Sequence, residues 1–126
     1  MAIKLKIVTK RDPRDVTKPV KYHGLAISRG KTDLEDLAEL ITGQSTMTRA
    51  DVYGVLMALE HNMLEQLKEG RTVELGRIGN FQVGVSTTGA ETKKDFSKKL
   101  VSKRRVLFRP GKAMKSMLKG LEFSMR

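Results

Sequence analysis

The chain has 126 residues, 39% of them hydrophobic, and its 25 Lys and Arg against 14 Asp and Glu give a formal net charge of +11. This length suits one compact domain, the lack of Cys excludes disulfides and thiolate metal sites, and no apolar run is long enough to cross a membrane. The N-terminus lacks a signal-peptide pattern, so we expect a cytoplasmic protein. The excess of positive charge indicates polyanionic ligands and says little about the fold.

The charges are segregated along the chain. Residues 1–31 contain nine basic and two acidic side chains, residues 93–126 contain twelve and two, and residues 32–76 contain nine acidic and three basic ones. A solvated surface that keeps the protein soluble would not require this segregation. Two cationic segments around an acidic middle therefore favour a surface for a polyanion.

Two alternating runs predict the first strands. Residues 3–8 and 20–27 alternate apolar and polar side chains with period two, which is typical of strands with one buried face. Residues 10–19 between them contain two prolines and several charges, which suit a loop. We expect the two strands to pair with each other.

Two amphipathic helices are predicted next. The first opens at Thr32, which has capping-box spacing to Glu35, and the second runs from Thr48 to Glu69, with Gly70 placed for a left-handed C-terminal cap. Both helices need a sheet or a partner to cover their apolar stripes. The stripes are Leu34, Leu37, Ala38 and Ile41 on the first helix, and Val52, Val55, Leu56, Leu59, Met63 and Leu67 on the second.

Three strands and a short helix complete the prediction. Residues 72–75 and 80–85 are short strands joined by a tight connection, and residues 101–109 return as a strongly basic strand. The polar residues 86–100 have little to bury and predict an exposed excursion. The last helix begins after Pro110.

Two motifs lie on either side of the polar excursion: Gly-Asn-Phe at residues 79–81 and Phe-Arg-Pro-Gly-Lys at residues 108–112. With the order of elements over roughly residues 33–119, they resemble the HU and integration-host-factor family of bacterial histone-like DNA-binding proteins. Residues 3–28 are similar to the two-strand extension of a longer HU-like branch of that family.

The resemblance implies an α+β protein of the IHF-like, HU-like fold. Such a protein has two helices, a three-stranded antiparallel sheet with a β-ribbon arm, and a short C-terminal helix, here with extra N-terminal β-strands. The chain would divide into a strand extension, residues 1–31, and an HU-like DNA-binding domain, residues 32–126. The family also implies an intertwined homodimer, whose core residues would be Phe81, Phe108, Leu59 and Met63.

The function implied by the resemblance is non-enzymatic. It is architectural, nucleoid-associated binding of double-stranded DNA with little sequence specificity, as in chromosome condensation in the bacterial cytoplasm. The expected partners are duplex DNA and a second copy, without membrane, small-molecule substrate, cofactor or metal. Gly30-Lys31-Thr32 ends like a phosphate-binding loop but lacks the earlier glycine of that motif, and the two His residues form no catalytic constellation.

Ten cations against the single Asp95 are the candidate DNA-binding residues, because Lys and Arg bind duplexes by neutralising phosphates and releasing counterions. Strand alternation places Arg104 and Arg105 on opposite faces. Arg105 is the strongest single candidate for a minor-groove or phosphate contact. Asn and Gln are scarce here, so we expect weak sequence preference. The ten are Lys93, Lys94, Lys98, Lys99, Lys103, Arg104, Arg105, Arg109, Lys112 and Lys115.

The arm departs from the family pattern in two ways. Residues 86–105 contain no Pro, where the family usually has one at the arm tip, and the outgoing segment 86–92 lacks basic residues. Phe96 or Leu100 is the candidate intercalating wedge, with folding of Phe96 back onto the body as the favoured alternative. We therefore expect a DNA binder first and a DNA bender second.

Two other functions fit the same sequence. One is an RNA-binding module that uses the same basic surface, which competition between duplex DNA and structured RNA would distinguish. The other is a structural or protein-interaction domain of the HU fold, in which deletion of residues 1–30 would remove a partner and leave DNA affinity unchanged.

Overall fold

The computed structural model describes residues 2–126 and confirms the α+β class. The described chain contains three α-helices and two three-stranded sheets, and it divides into one compact unit of residues up to Asp33 with Met117–Arg126 and another of Leu34–Ser116. The division into residues 1–31 and 32–126 stays a prediction about domain organisation. The elements are β1 (Ile3–Lys10), β2 (Lys21–Ala26), α1 (Leu34–Gly43), α2 (Arg49–Lys68), β3 (Val73–Leu75), β4 (Gly79–Thr87), β5 (Val101–Pro110), α3 (Lys112–Lys119) and β6 (Phe123–Met125).

The smaller unit is built on the sheet β2-β1-β6. β1 and β2 form the predicted antiparallel pair, with Leu5 opposite Ala26 and Lys10 opposite Lys21. β6 pairs with the other edge of β1 in parallel, and the N–H of Arg126 donates to the carbonyl of Leu5 at 3.0 Å. Sequence reasoning missed β6, because three residues are too few to show an alternating pattern.

The ends of α2 follow the predicted capping chemistry. The Thr48 hydroxyl accepts a hydrogen bond from the Asp51 N–H at 3.2 Å, which satisfies a free donor at the helix start. Gly70 adopts φ 84° and donates its N–H to the carbonyl of Leu67 at 3.0 Å. Both predicted ends are therefore confirmed, whereas α1 begins at Leu34, two residues after the predicted Thr32.

The hydrophobic core of the larger unit is small. Among the described residues, Ala38 of α1 and Val52 and Leu67 of α2 are the buried hydrophobic side chains. The middle of the apolar stripe of α2 leaves Val55 58% and Leu59 41% exposed. The apolar stripe of α2 is therefore buried near the helix ends and partly open between them. No helix of the described chain is long and apolar enough to span a bilayer.

Gly79 lies where the turn after β3 leads into β4, in the antiparallel sheet β3-β4-β5. It adopts φ 152°, which L side chains rarely tolerate. A Cβ at this position would overlap the carbonyl oxygen of Arg109 and approach the ring of Phe108 to 2.8 Å. The glycine of the Gly-Asn-Phe motif is thus required by close packing against β5.

Gly111 makes a similar close approach at the start of α3. A Cβ on Gly111 would lie 2.6 Å from the carbonyl oxygen of Arg77. The Gly111 N–H donates to the carbonyl of Ile78 at 2.7 Å, and the Ala113 N–H donates to the carbonyl of Arg77 at 3.0 Å. The two sequence motifs therefore meet, and together they join the β3–β4 turn to the first turn of α3.

The predicted β-ribbon arm over residues 86–100 is only partly present. β4 and β5 pair as far as Thr87 opposite Val101, with an irregular register next to Ser86, and a loop and the single 3-10 turn Lys98–Leu100 follow. The hydroxyl and the carbonyl of Thr92 both accept from the N–H of Asp95 at 3.2 Å. This local turn competes with strand pairing. The prediction that the ribbon continues beyond Thr87 was therefore wrong.

We predict that Gly79→Ala destabilises the protein by roughly 2–4 kcal/mol, because the new Cβ meets both backbone and an aromatic ring in a strained conformation. Chemical denaturation followed by circular dichroism measures the loss. Gly89→Ala is the matched control, since a Cβ there meets nothing within 4 Å. Equal stability of the two variants would contradict the packing argument.

Candidate nucleic-acid interface

The β4–β5 pair presents a cationic face. Residues opposite each other in an antiparallel pair share a face, and neighbours along a strand alternate. The register therefore places three basic side chains of β5 together on one surface, with small and polar side chains of β4 beside them. The opposed pairs of this cationic face are Asn80–Arg109, Gln82–Leu107, Gly84–Arg105 and Ser86–Lys103.

The other face of the same strands is apolar. Phe81 lies opposite Phe108, and their ring centroids are 4.9 Å apart with the planes tilted by 43°. Val106 lies on this face and is 59% exposed. Arg104, opposite Val85, also belongs to this face. The predicted separation of Arg104 from the other strand cations is thus confirmed, and the sheet keeps it away from the cationic face.

Arg105 is held in place by two residues of β4. Its guanidinium Nη1 donates to the Ser86 hydroxyl at 2.8 Å. Directly opposite, Gly84 has no side chain, and a Cβ there would lie 3.4 Å from Arg105 Nε and 3.1 Å from Leu107 Cδ1. Gly84 therefore leaves room for the Arg105 side chain to cross the strand, and Ser86 fixes its end.

Sequence reasoning did not identify Gly84 and Ser86 as residues of the site. A glycine inside a predicted strand was the available signal, because it often marks a close approach by another group. The hydroxyl carried no such signal. Its role depends on the two-residue offset that brings Arg105 diagonally beside Ser86.

The other candidate cations surround the strands, in the larger unit. Lys93 and Lys94 lie in the loop and Lys98 and Lys99 in the 3-10 turn, all exposed. Lys112 is the first residue of α3, where the helix dipole disfavours a cation and favours an anion. None of the ten candidate cations forms an ion pair with a carboxylate in residues 2–126.

The two candidate wedge residues differ in exposure. Phe96 lies in the loop and is 48% exposed. Leu100 is half-buried at the end of the 3-10 turn, where its carbonyl accepts from the Thr88 N–H at 2.8 Å. About half of the Phe96 surface is thus accessible to a ligand, whereas the backbone of Leu100 makes the hydrogen bond that follows the last pair of β4 and β5.

Comparison with protein families shows which family the chain belongs to. Residues 1–125 match the family model described as an HU domain fused to a winged helix-turn-helix, immunoglobulin or glycine-rich motif. The chain belongs to this HU family. The match includes β1 and β2, which lie outside the residues that resemble the minimal HU family. No curated protein matches the sequence.

The fold of this HU-family protein recurs in solved structures. One is the crystal structure of a candidate bacterial DNA-binding protein from Bacteroides vulgatus, with a TM-score of 0.70 and 14% sequence identity. The alignment covers 98% of the present chain and 47% of the other, so the chain spans about half the length of that protein. At this identity the likeness shows a shared fold.

Proposed function

We propose that this HU-family protein binds double-stranded DNA without catalysis and with little sequence specificity. The observation that carries the proposal is a set of ten exposed cations against the single Asp95 over residues 93–115. Three of them, Lys103, Arg105 and Arg109, lie on one side of a two-stranded ribbon. The full set proposed to contact DNA is Lys93, Lys94, Lys98, Lys99, Lys103, Arg104, Arg105, Arg109, Lys112 and Lys115.

Counterion release supplies the affinity in this proposal. Each phosphate neutralised by Lys or Arg frees condensed cations, which favours binding at low salt. The cationic face carries one exposed amide, Gln82, to read base edges, so sequence preference is weak. Contacts to phosphates position the protein on the duplex and do not specify a sequence.

Duplex DNA is favoured over single-stranded nucleic acid by the position of the aromatic residues. Binding of single strands usually depends on bases stacking on aromatic side chains. Phe81 and Phe108 lie on the apolar face, opposite the cationic one. Phe96 in the loop is the proposed wedge, and bending of DNA is therefore a secondary property of the proposal.

The proposal includes a homodimer built on the larger unit. Leu59 is 41% and Phe108 42% exposed in the single chain, while Phe81 and Met63 are half-buried. So much exposed apolar surface is unusual for a monomer and typical of an association surface. A second copy that covers these four residues would complete the small core of the unit.

The proposed cellular role is architectural. Nonspecific coating of duplex DNA by a basic dimer fits a nucleoid-associated protein of the bacterial cytoplasm that contributes to chromosome condensation. The proposed partners are duplex DNA and a second copy of the chain. The role needs no cofactor, metal or small-molecule substrate.

We predict that Lys103→Gln with Arg105→Gln weakens duplex binding, because two phosphate contacts are lost. The slope of log affinity against log salt becomes less negative by about 2. Titration of a labelled duplex at several salt concentrations measures it, with structured RNA as competitor. Lys68→Gln with Arg71→Gln, in the acidic middle of the sequence, is the charge-matched control.

Failure of the unsubstituted protein to bind a duplex at low salt would refute the proposed function. Preferential displacement of the duplex by structured RNA would assign the surface to the alternative ligand. Loss of binding in the control pair equal to that in the β5 pair would show that net charge matters and the cationic face does not.

We predict that Leu59→Glu converts the dimer to monomers, because a buried carboxylate without a partner strongly disfavours the interface. Analytical ultracentrifugation measures the mass. Leu25→Glu in the smaller unit is the control, since Leu25 is also an exposed leucine, at 57%. A monomeric unsubstituted protein, or an unchanged mass for Leu59→Glu in a folded sample, would contradict the proposed dimer core.

A further inference from the structure

The sheet of the smaller unit also has a cationic face. One side of this sheet carries the basic residues of β1 and β2 together with two apolar ones. By alternation and register this side holds Lys4, Lys6, Val8, Lys10, Lys21, His23 and Leu25. We call its four lysines and His23 the N-terminal cationic face. The opposite side of the sheet holds mainly apolar residues, including Ile3, Leu5, Ile7, Phe123 and Met125.

A hollow of about 300 Å³ opens at the Lys10–Lys21 end of this face. Four cations surround it and one carboxylate, Asp12, accompanies them. The carboxylate forms an exposed ion pair with Lys18 at 3.8 Å. The lining residues are Lys10, Arg11, Asp12, Lys18, Pro19, Lys21 and His23.

Local hydrogen bonds shape the loop that carries Arg11 and Lys18. Asp12 accepts from the Arg14 N–H at 2.9 Å, and the Asp15 carboxylate accepts from both the hydroxyl and the N–H of Thr17. These bonds to Thr17 lower the pKa of Asp15 below its usual value. The two aspartates thus serve the turns of the loop, and Asp12 pairs only with Lys18, so Lys10, Arg11 and Lys21 form no ion pair with a carboxylate of the described residues.

The arrangement is electrostatically unfavourable by itself. Lys10 and Lys21 are direct cross-strand partners, and like charges at such positions destabilise a sheet. Asp12 is the one acidic residue of the hollow, and it is paired with Lys18. A bound polyanion would offset the repulsion between the two lysines.

We propose that the N-terminal cationic face is a second binding surface for the phosphates of double-stranded DNA. The inference rests on the proposed function, because it assigns the same ligand to a separate surface. The residues from Lys4 to Lys10 span about 20 Å of strand, comparable to about six base pairs of duplex. Residues 2–33 contain no Asn or Gln, so this contact is independent of sequence.

The position of Tyr22 favours a duplex over a single strand. Tyr22 lies opposite Thr9, and both belong to the side of the sheet away from the lysines. Bases of a single strand therefore have no Phe, Tyr or Trp platform on the N-terminal cationic face, whose aromatic ring is the imidazole of His23. A regular array of phosphates fits lysines that are spaced along one side of a strand, here Lys4, Lys6 and Lys10 with Val8 between the last two.

Salt-dependent binding of a duplex to the full chain tests the proposal. We expect Lys10→Gln with Lys21→Gln to make the log–log salt slope less negative by about 2, with roughly tenfold weaker binding at 0.1 M salt. Lys68→Gln with Arg71→Gln removes the same charge elsewhere and is expected to change the slope little. Thermal unfolding of each variant verifies that the exposed substitutions leave the fold intact.

The outcomes separate this proposal from the proposed function. If Lys103→Gln with Arg105→Gln weakens binding while the Lys10/Lys21 pair behaves like the control, the second surface is refuted and the first stands. If the unsubstituted chain does not bind the duplex, the proposed function itself fails.

Lysine acetylation with mass spectrometry provides an independent readout. A duplex is expected to protect Lys10 and Lys21 and to leave Lys68 reactive. Phosphatidylglycerol vesicles and a polyglutamate peptide are the comparison ligands. Protection of Lys10 and Lys21 by either of these, without protection by the duplex, would overturn the assignment to DNA.

Discussion

The close backbone contact between the β3–β4 turn and the start of α3 determines the geometry of the larger unit. Gly79 and Gly111 allow it because neither position has room for a Cβ. The contact fixes where β4 begins relative to β5, and the register of this pair assigns every later side chain to one face or the other. A slip of one residue would move Arg105 to the apolar face, so the cationic face depends on these glycines.

A second constraint is the shortage of buried apolar surface. Three hydrophobic side chains are buried in the described chain, whereas the rings of Phe81 and Phe108 and the middle of α2 stay partly open. Folding must offset the conformational entropy of the ordered chain, and a core of this size contributes little. Association and DNA binding are therefore linked in the proposed function. A second copy would cover the apolar face of β4 and β5 and so stabilise the two strands that also carry the cationic face.

Much of this fold was predictable from local chemistry. The caps of α2 at Thr48 and Gly70 and the alternation of Arg104 with its neighbours in β5 depend on residues close in sequence. The long-range features were not predictable in this way. β6 is too short to show an alternating pattern, and the position of the Arg105 side chain depends on the register between two segments that are distant in sequence. The arm was overestimated because low hydrophobicity indicates exposure and does not distinguish a ribbon from a loop.

The parallel pairing of β6 with β1 has a consequence for solubility. β1 is the central strand of its sheet, and β6 satisfies the backbone groups on one of its edges. Without residues 121–126, that edge would present unpaired N–H and carbonyl groups beside Ile3 and Leu5, the arrangement from which strands of different molecules pair and aggregate. The three residues of β6 therefore act as a protective edge, and a strand so short offers little template for further pairing.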